Sequence, residues 1–106
     1  MFGDDKTVKI TFFGDLVGRP GRFAIRNYLQ NKAKDLISSD SDNLSSFIIA
    51  NVENASHGFG LTEKNYNELS EYGISCMTSG NHIWDKKEIF NYIDRADKLV
   101  RPINYP

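Results

Sequence analysis

Three short apolar runs, each followed by a helical pattern, constrain this chain more than any other feature. "VKITFFG" from Val8, "SSFIIANV" from Ser45 and "GISCMTSG" from Gly73 have the length and the β-branched or aromatic content of strands. From about Pro20, a residue suited to a first helical turn, Ile25, Tyr28, Leu29, Ala33 and Leu36 recur at spacings of three and four. A second helix is marked by Thr62 as its cap, Leu61 and Tyr66 as a hydrophobic staple, and Gly73 as its stop. A third carries Asp85 and Glu88 in a variant capping box, with Trp84 and Ile89 at the staple positions. "SSDSDNLS" between the first helix and the second strand reads as a surface loop. An order β-α-β-α-β-α with short connections predicts parallel strands joined by right-handed crossovers: an α/β layered domain.

At 106 residues, with 40% hydrophobic and 25% charged residues, residues 1–106 read as one soluble domain. No apolar run is long enough to cross a bilayer, so no membrane partner is expected. The polar start before Val8 lacks the basic, apolar and small-residue succession of a secretory signal, which predicts a cytoplasmic location. Thirteen basic and fourteen acidic residues leave a charge of −1, so any nucleic acid must be recognised locally rather than by a global field. The single Cys76 cannot form an internal disulfide, and its apolar surroundings predict a buried, inert thiol.

In parallel sheets, ligands gather outside the carboxyl ends of the strands. All three exits here are polar. The first delivers Asp15 in "FFGDLVGRPGR", the second Glu53 and Asn54 in "ANVENASHGFG", the third Asn81 and His82 in "TSGNHIW". Taken singly, each has an ordinary explanation: Asp15 closing a turn, Glu53 pairing with Arg19, Asn54 or Asn81 in a left-handed turn, His82 hydrogen-bonded in a loop. Taken together, on neighbouring strands, they form a ligand set of carboxylate, amide and imidazole groups for Mn, Fe, Zn or Mg. A pair of such ions could activate water and neutralise a phosphoryl group in transit. His57 and Arg19 stand beside these exits as candidate substrate contacts, and Arg22 with Arg19 could meet phosphate or solvate the helix start. "GDLVGRPG" is neither a dinucleotide fingerprint nor a P-loop. An esterase with a Gly-Asp-Ser block is excluded because Leu16 follows Asp15 where the nucleophilic serine would stand.

The blocks "FFGDLVGRPGR", "VENASHGFGLTEKNY", "TSGNHIWDKKEIFNYID" and "LVRPINYP" together resemble the bacterial YmdB-like metallophosphoesterases, proposed 2′,3′-cyclic nucleotide phosphodiesterases of the calcineurin-like superfamily. The resemblance runs from about Val8 to Pro106 and is to the N-terminal part of such a protein. It implies an α/β/β/α sandwich with two divalent ions, Mn or Fe first and Mg or Zn as alternatives. By the same resemblance Asp15 is a ligand of one metal, Glu53 the bridging ligand, Asn81 a ligand of the other, and Asn54 lies in or beside the coordination sphere. His82 would protonate the leaving alkoxide or stabilise the attacked phosphate. The implied substrates are phosphate esters such as 2′,3′-cyclic nucleotides or RNA ends.

Two departures from the family pattern stand out. Val52 precedes Glu53 where the family usually has glycine, and the family's remaining ligands are histidines of a second half, whereas this chain has only His57 and His82. The expectation is therefore a partial site that binds metal weakly, and a sheet edge through which the chain forms a homo-oligomer. The rival expectation is a catalytically inactive fragment serving as a binding or regulatory module.

Overall fold

The computed structural model describes residues 7–38 and 44–103, and side chains over residues 7–31 and 46–103. The chain runs β1 (Thr7–Asp15), α1 (Gly18–Ser38), β2 (Leu44–Asn51), α2 (Glu63–Glu71), β3 (Cys76–Thr78), a 3-10 turn (Asn81–Trp84), α3 (Ile89–Tyr92) and a second 3-10 turn (Ile93–Arg95). The three strands form one parallel sheet in the order β1-β2-β3. This is the α/β architecture the alternation predicts. Residues 98–100 continue the sheet beyond β3: Met77 N–H donates to Lys98 O at 2.7 Å and Val100 N–H to Met77 O at 2.8 Å. Most of the predicted loop "SSDSDNLS" lies outside the described residues.

The register aligns the three strand ends. Asp15 pairs with Asn51 and Asn51 with Thr78, after an irregularity between Phe13 and Asp15. Leu16 N–H then donates to Asn51 O at 3.1 Å and Val52 N–H to Thr78 O at 2.9 Å. These bonds carry the pairing one step past the strands, so their exits leave the sheet side by side.

The core lies on the helix-covered face. Ala50, Val52 and Met77 meet Ile25 and Leu29 of α1, Tyr66 and Leu69 of α2, and Leu61, Ile83, Ile89 and Tyr92 from the connections and α3. Burial of such side chains contributes roughly 1.5–3 kcal/mol each. α2 forms as its sequence signals: Thr62 Oγ1 accepts from Asn65 N–H at 3.2 Å, and Gly73 takes the left-handed conformation (φ 107°) that ends the helix. The staple residues Leu61 and Tyr66 are both buried.

Three expectations are corrected. The third helix is one short turn, and its capping box does not form: Asp85 bonds His82, while Glu88 Oε2 accepts Glu63 N–H at 2.8 Å, serving α2 instead. Trp84 stacks on Phe90 at 5.6 Å. Tyr28, placed on the core face by spacing, is 44% exposed and meets the sheet only edge-on at Phe13, 5.4 Å between ring centroids. Cys76 is half-buried rather than buried. On β1, Lys9, Thr11 and Phe13 are half-buried whereas Val8, Ile10 and Phe12 are exposed. The apolar residues of β1 thus stand mainly on the face that no described residue covers.

Candidate active site

Each strand exit is held by its neighbour. Gly18 N–H donates to Asn54 O at 2.9 Å, tying the start of α1 to the loop after β2. From the same residue, Asn54 Nδ2 donates to Asp15 Oδ1 at 3.0 Å and Oδ2 at 3.1 Å. Asp15 is thereby clamped by an amide rather than by a cation. The loop carrying Glu53 and Asn54 is anchored below by Ser56, which is fully buried: its hydroxyl donates to Asn65 Oδ1 at 2.5 Å and accepts Thr62 N–H at 2.9 Å. A buried hydroxyl needs such partners, and these fix the loop to the first turn of α2.

Glu53 reaches across to the third exit. Its Oε2 accepts the backbone N–H of His82 at 3.1 Å, and a Cβ on Gly80 would stand 2.6 Å from both of its carboxylate oxygens. No other residue type leaves room for the carboxylate in this position. Glu53 makes no ion pair with Arg19. Asn81 begins the 3-10 turn, exposed, between Gly80 and His82.

His82 is exposed, and its Nδ1 lies 2.8 Å from Asp85 Oδ2. That hydrogen bond raises its pKa above the ordinary 6.5; desolvation opposes the rise, and the charges of Asp85, Glu53 and Asp15 reinforce it. The strand register and the Glu53 bond to His82 N–H are what bring the three exits together. With Nδ1 committed to Asp85, Nε2 is the nitrogen left to meet a substrate. Asp85, expected as a helix cap, joins this group instead.

Arg19 and His57 sit apart from the carboxylates, lining a groove between α1 and α2 of about 710 Å³. His57 occupies a left-handed turn position (φ 57°) and is exposed. Arg22 lines the same groove, and its Nη1 donates to Ala55 O at 2.6 Å, bracing the loop that carries Glu53 and Asn54.

The donors present fit one side of a metal centre. Asp15 and Glu53 offer carboxylate oxygens, Asn81 and Asn54 amide oxygens, a set suited to hard or borderline divalent ions. The space that glycine leaves at position 80 holds the Glu53 carboxylate toward the other exits. Among the described residues, no group of three or more His, Cys, Asp or Glu side chains is placed to hold a metal ion. No helix among the described residues is long and apolar enough to cross a membrane.

Residues 11–106 match the family model of the YmdB-like proteins, and the chain belongs to that family. It is 47% identical over 102 residues to the 2′,3′-cyclic-nucleotide 2′-phosphodiesterase of Bacillus subtilis (strain 168), an alignment covering 93% of this chain and 35% of that protein. Among solved structures it is similar to a novel phosphatase of Mycoplasma pneumoniae, with TM-score 0.77 and 34% identity over 93% of this chain and 33% of that one. It is also similar to a hypothetical protein of Thermus thermophilus, with TM-score 0.73 and 35% identity over 92% and 34% of the two chains. The chain thus spans about a third of the length of the relatives it matches.

Proposed function

We propose that this chain supplies part of the active site of a metal-dependent phosphodiesterase that hydrolyses phosphate esters such as 2′,3′-cyclic nucleotides or RNA ends. The observation that carries the reading is the convergence of Asp15 and Glu53 with a histidine whose Nδ1 is held by Asp85. Asp15, Glu53 and Asn81 hold the divalent ions, two in number and Mn or Fe by preference over Mg or Zn, with Asn54 orienting Asp15. When bound, the ions polarise the phosphoryl group and acidify a water.

The chain's own residues do the rest. Asp85 fixes the ring of His82 and favours its cationic form. The Nε2–H of that imidazolium then donates a proton to the departing ribose oxygen, the step for which a positioned acid contributes roughly 10²–10⁴-fold. Hydrolysis of bis-p-nitrophenyl phosphate with added Mn²⁺ tests the reading. Turnover that falls at least tenfold in both Glu53→Ala and His82→Ala supports it; turnover equal in the three proteins contradicts it.

A second reading, a module that keeps the fold and binds without catalysis, is favoured by the small number of charged donors among the described residues. It predicts no Mn²⁺-dependent turnover in the wild-type chain.

A further inference from the structure

The groove between α1 and α2 is cationic in a molecule that is not. Arg19 and Arg26 project from α1 seven residues apart, two turns along one face, and oppose Lys64 in the first turn of α2 and His57 in the connecting turn. Glu68 is the one acid lining it. Arg19, Arg26 and Lys64 have no ion-pair partner among the described residues. With Lys and Arg at 13 and Asp and Glu at 14 over the whole chain, this excess is local rather than a reflection of composition.

Two aromatic rings lie among the cations. Phe23, 57% exposed on α1, stands between Arg19 and Arg26 in sequence, and Tyr72, the C-cap of α2, also lines the groove. Positive charge that tracks a backbone, interleaved with rings on which bases stack, is the pattern of single-stranded nucleic acid binding. At its other end the groove begins at Arg19 and His57, within a few residues of Asp15 and Asn54, whose loops Gly18 N–H ties together.

We infer that this groove is a binding site for single-stranded RNA, with the phosphodiester backbone on Arg19, Arg26 and Lys64 and a base on Phe23. The choice of ligand rests on the phosphodiesterase reading, because the groove's Arg19 and His57 stand next to Gly18, whose N–H is tied to Asn54 in the loop that carries Glu53.

The test is fluorescence anisotropy of a labelled single-stranded RNA of about 12 nucleotides with the 106-residue chain in EDTA, across a series of salt concentrations. Because no metal and no turnover are involved, the outcome is independent of catalysis; Glu53→Ala, which removes turnover under the reading above, retains RNA binding. Arg26→Glu with Lys64→Glu is expected to weaken binding at least tenfold and to flatten the slope of log affinity against log salt by roughly 1.4, two contacts at about 0.7 each. Phe23→Ala is expected to weaken it several-fold with the slope unchanged. Arg26→Lys with Lys64→Arg, which keeps the charge, is expected to retain affinity, and circular dichroism of the charge-reversed protein is expected to match wild type, so that its loss of binding is not misfolding. Wild-type affinity and slope in the charge-reversed protein would overturn the inference, as would a Phe23→Ala protein that binds as tightly as wild type.

Discussion

Gly80 and Glu53 touch so closely that a Cβ on the glycine would stand 2.6 Å from both carboxylate oxygens. The atoms in the way are the far end of a flexible side chain, so Gly80→Ala is expected to move the carboxylate rather than the backbone. Stability should change by less than about 1 kcal/mol, while Mn²⁺ affinity and phosphodiester turnover fall to the level of Glu53→Ala. Thermal melts beside metal titrations of the two variants check this. A Gly80→Ala protein with wild-type metal affinity would show that Glu53 need not occupy this place.

Asn54 gives its amide to both oxygens of Asp15. Removing a partner that orients a metal ligand commonly costs roughly 10–100-fold in metal affinity, so Asn54→Ala is expected to weaken Mn²⁺ binding by about that factor. Asn54→Asp should be worse, because it sets a second negative charge against the first. Calorimetric titration of the two variants separates these outcomes.

Asp85 raises the pKa of His82 through their hydrogen bond. In the metal-free chain, Asp85→Asn removes both the charged acceptor and its field, and the imidazole is expected to titrate at lower pH than in wild type. A raised pKa means that the cation persists to higher pH, and loss of the acceptor shortens that range. NMR titration of the ring protons reads it. An unchanged midpoint would mean that the 2.8 Å contact is not maintained in solution.

Tyr92 is buried, its phenol pushed above the usual tyrosine range by that burial and secondarily by Glu88 and Glu63, and its hydroxyl donates to Leu61 O at 2.5 Å. Tyr92→Phe leaves that carbonyl without its partner at a cost of about 1–3 kcal/mol. Denaturant unfolding should show the loss with no change in metal affinity.

The exposed row Val8, Ile10 and Phe12 on β1, the edge strand, with Phe47 beside it on β2, is a patch through which the chain is expected to self-associate. Size-exclusion chromatography over a dilution series should show a dimer or larger species that Ile10→Lys converts to monomer. Only monomer at every concentration would contradict it.

The strand ends were legible because parallel pairing and short connections leave little freedom: once β1, β2 and β3 lie side by side, Asp15, Glu53 and Asn81 must leave the same edge. The α2 boundaries were legible because Thr62 and Gly73 act within one turn of their own positions. Asp85 was not, since a residue three positions after His82 and three before Glu88 suits either a ring contact or a cap, and only tertiary packing decides. Glu88 bonding α2 and Arg22 bonding Ala55 are likewise contacts between distant segments, invisible to local pattern. The outward face of β1 misleads for a different reason: its apolar residues are spaced as if covered, yet no described residue covers them.

The most direct measurement of the central claim is Mn²⁺ binding followed by electron paramagnetic resonance of the free ion, with wild type and Glu53→Ala titrated side by side. Wild type is expected to deplete the free Mn²⁺ signal and Glu53→Ala to bind at least tenfold more weakly. Superimposable titrations would contradict it, because Glu53 would then have no part in holding a metal at the strand ends.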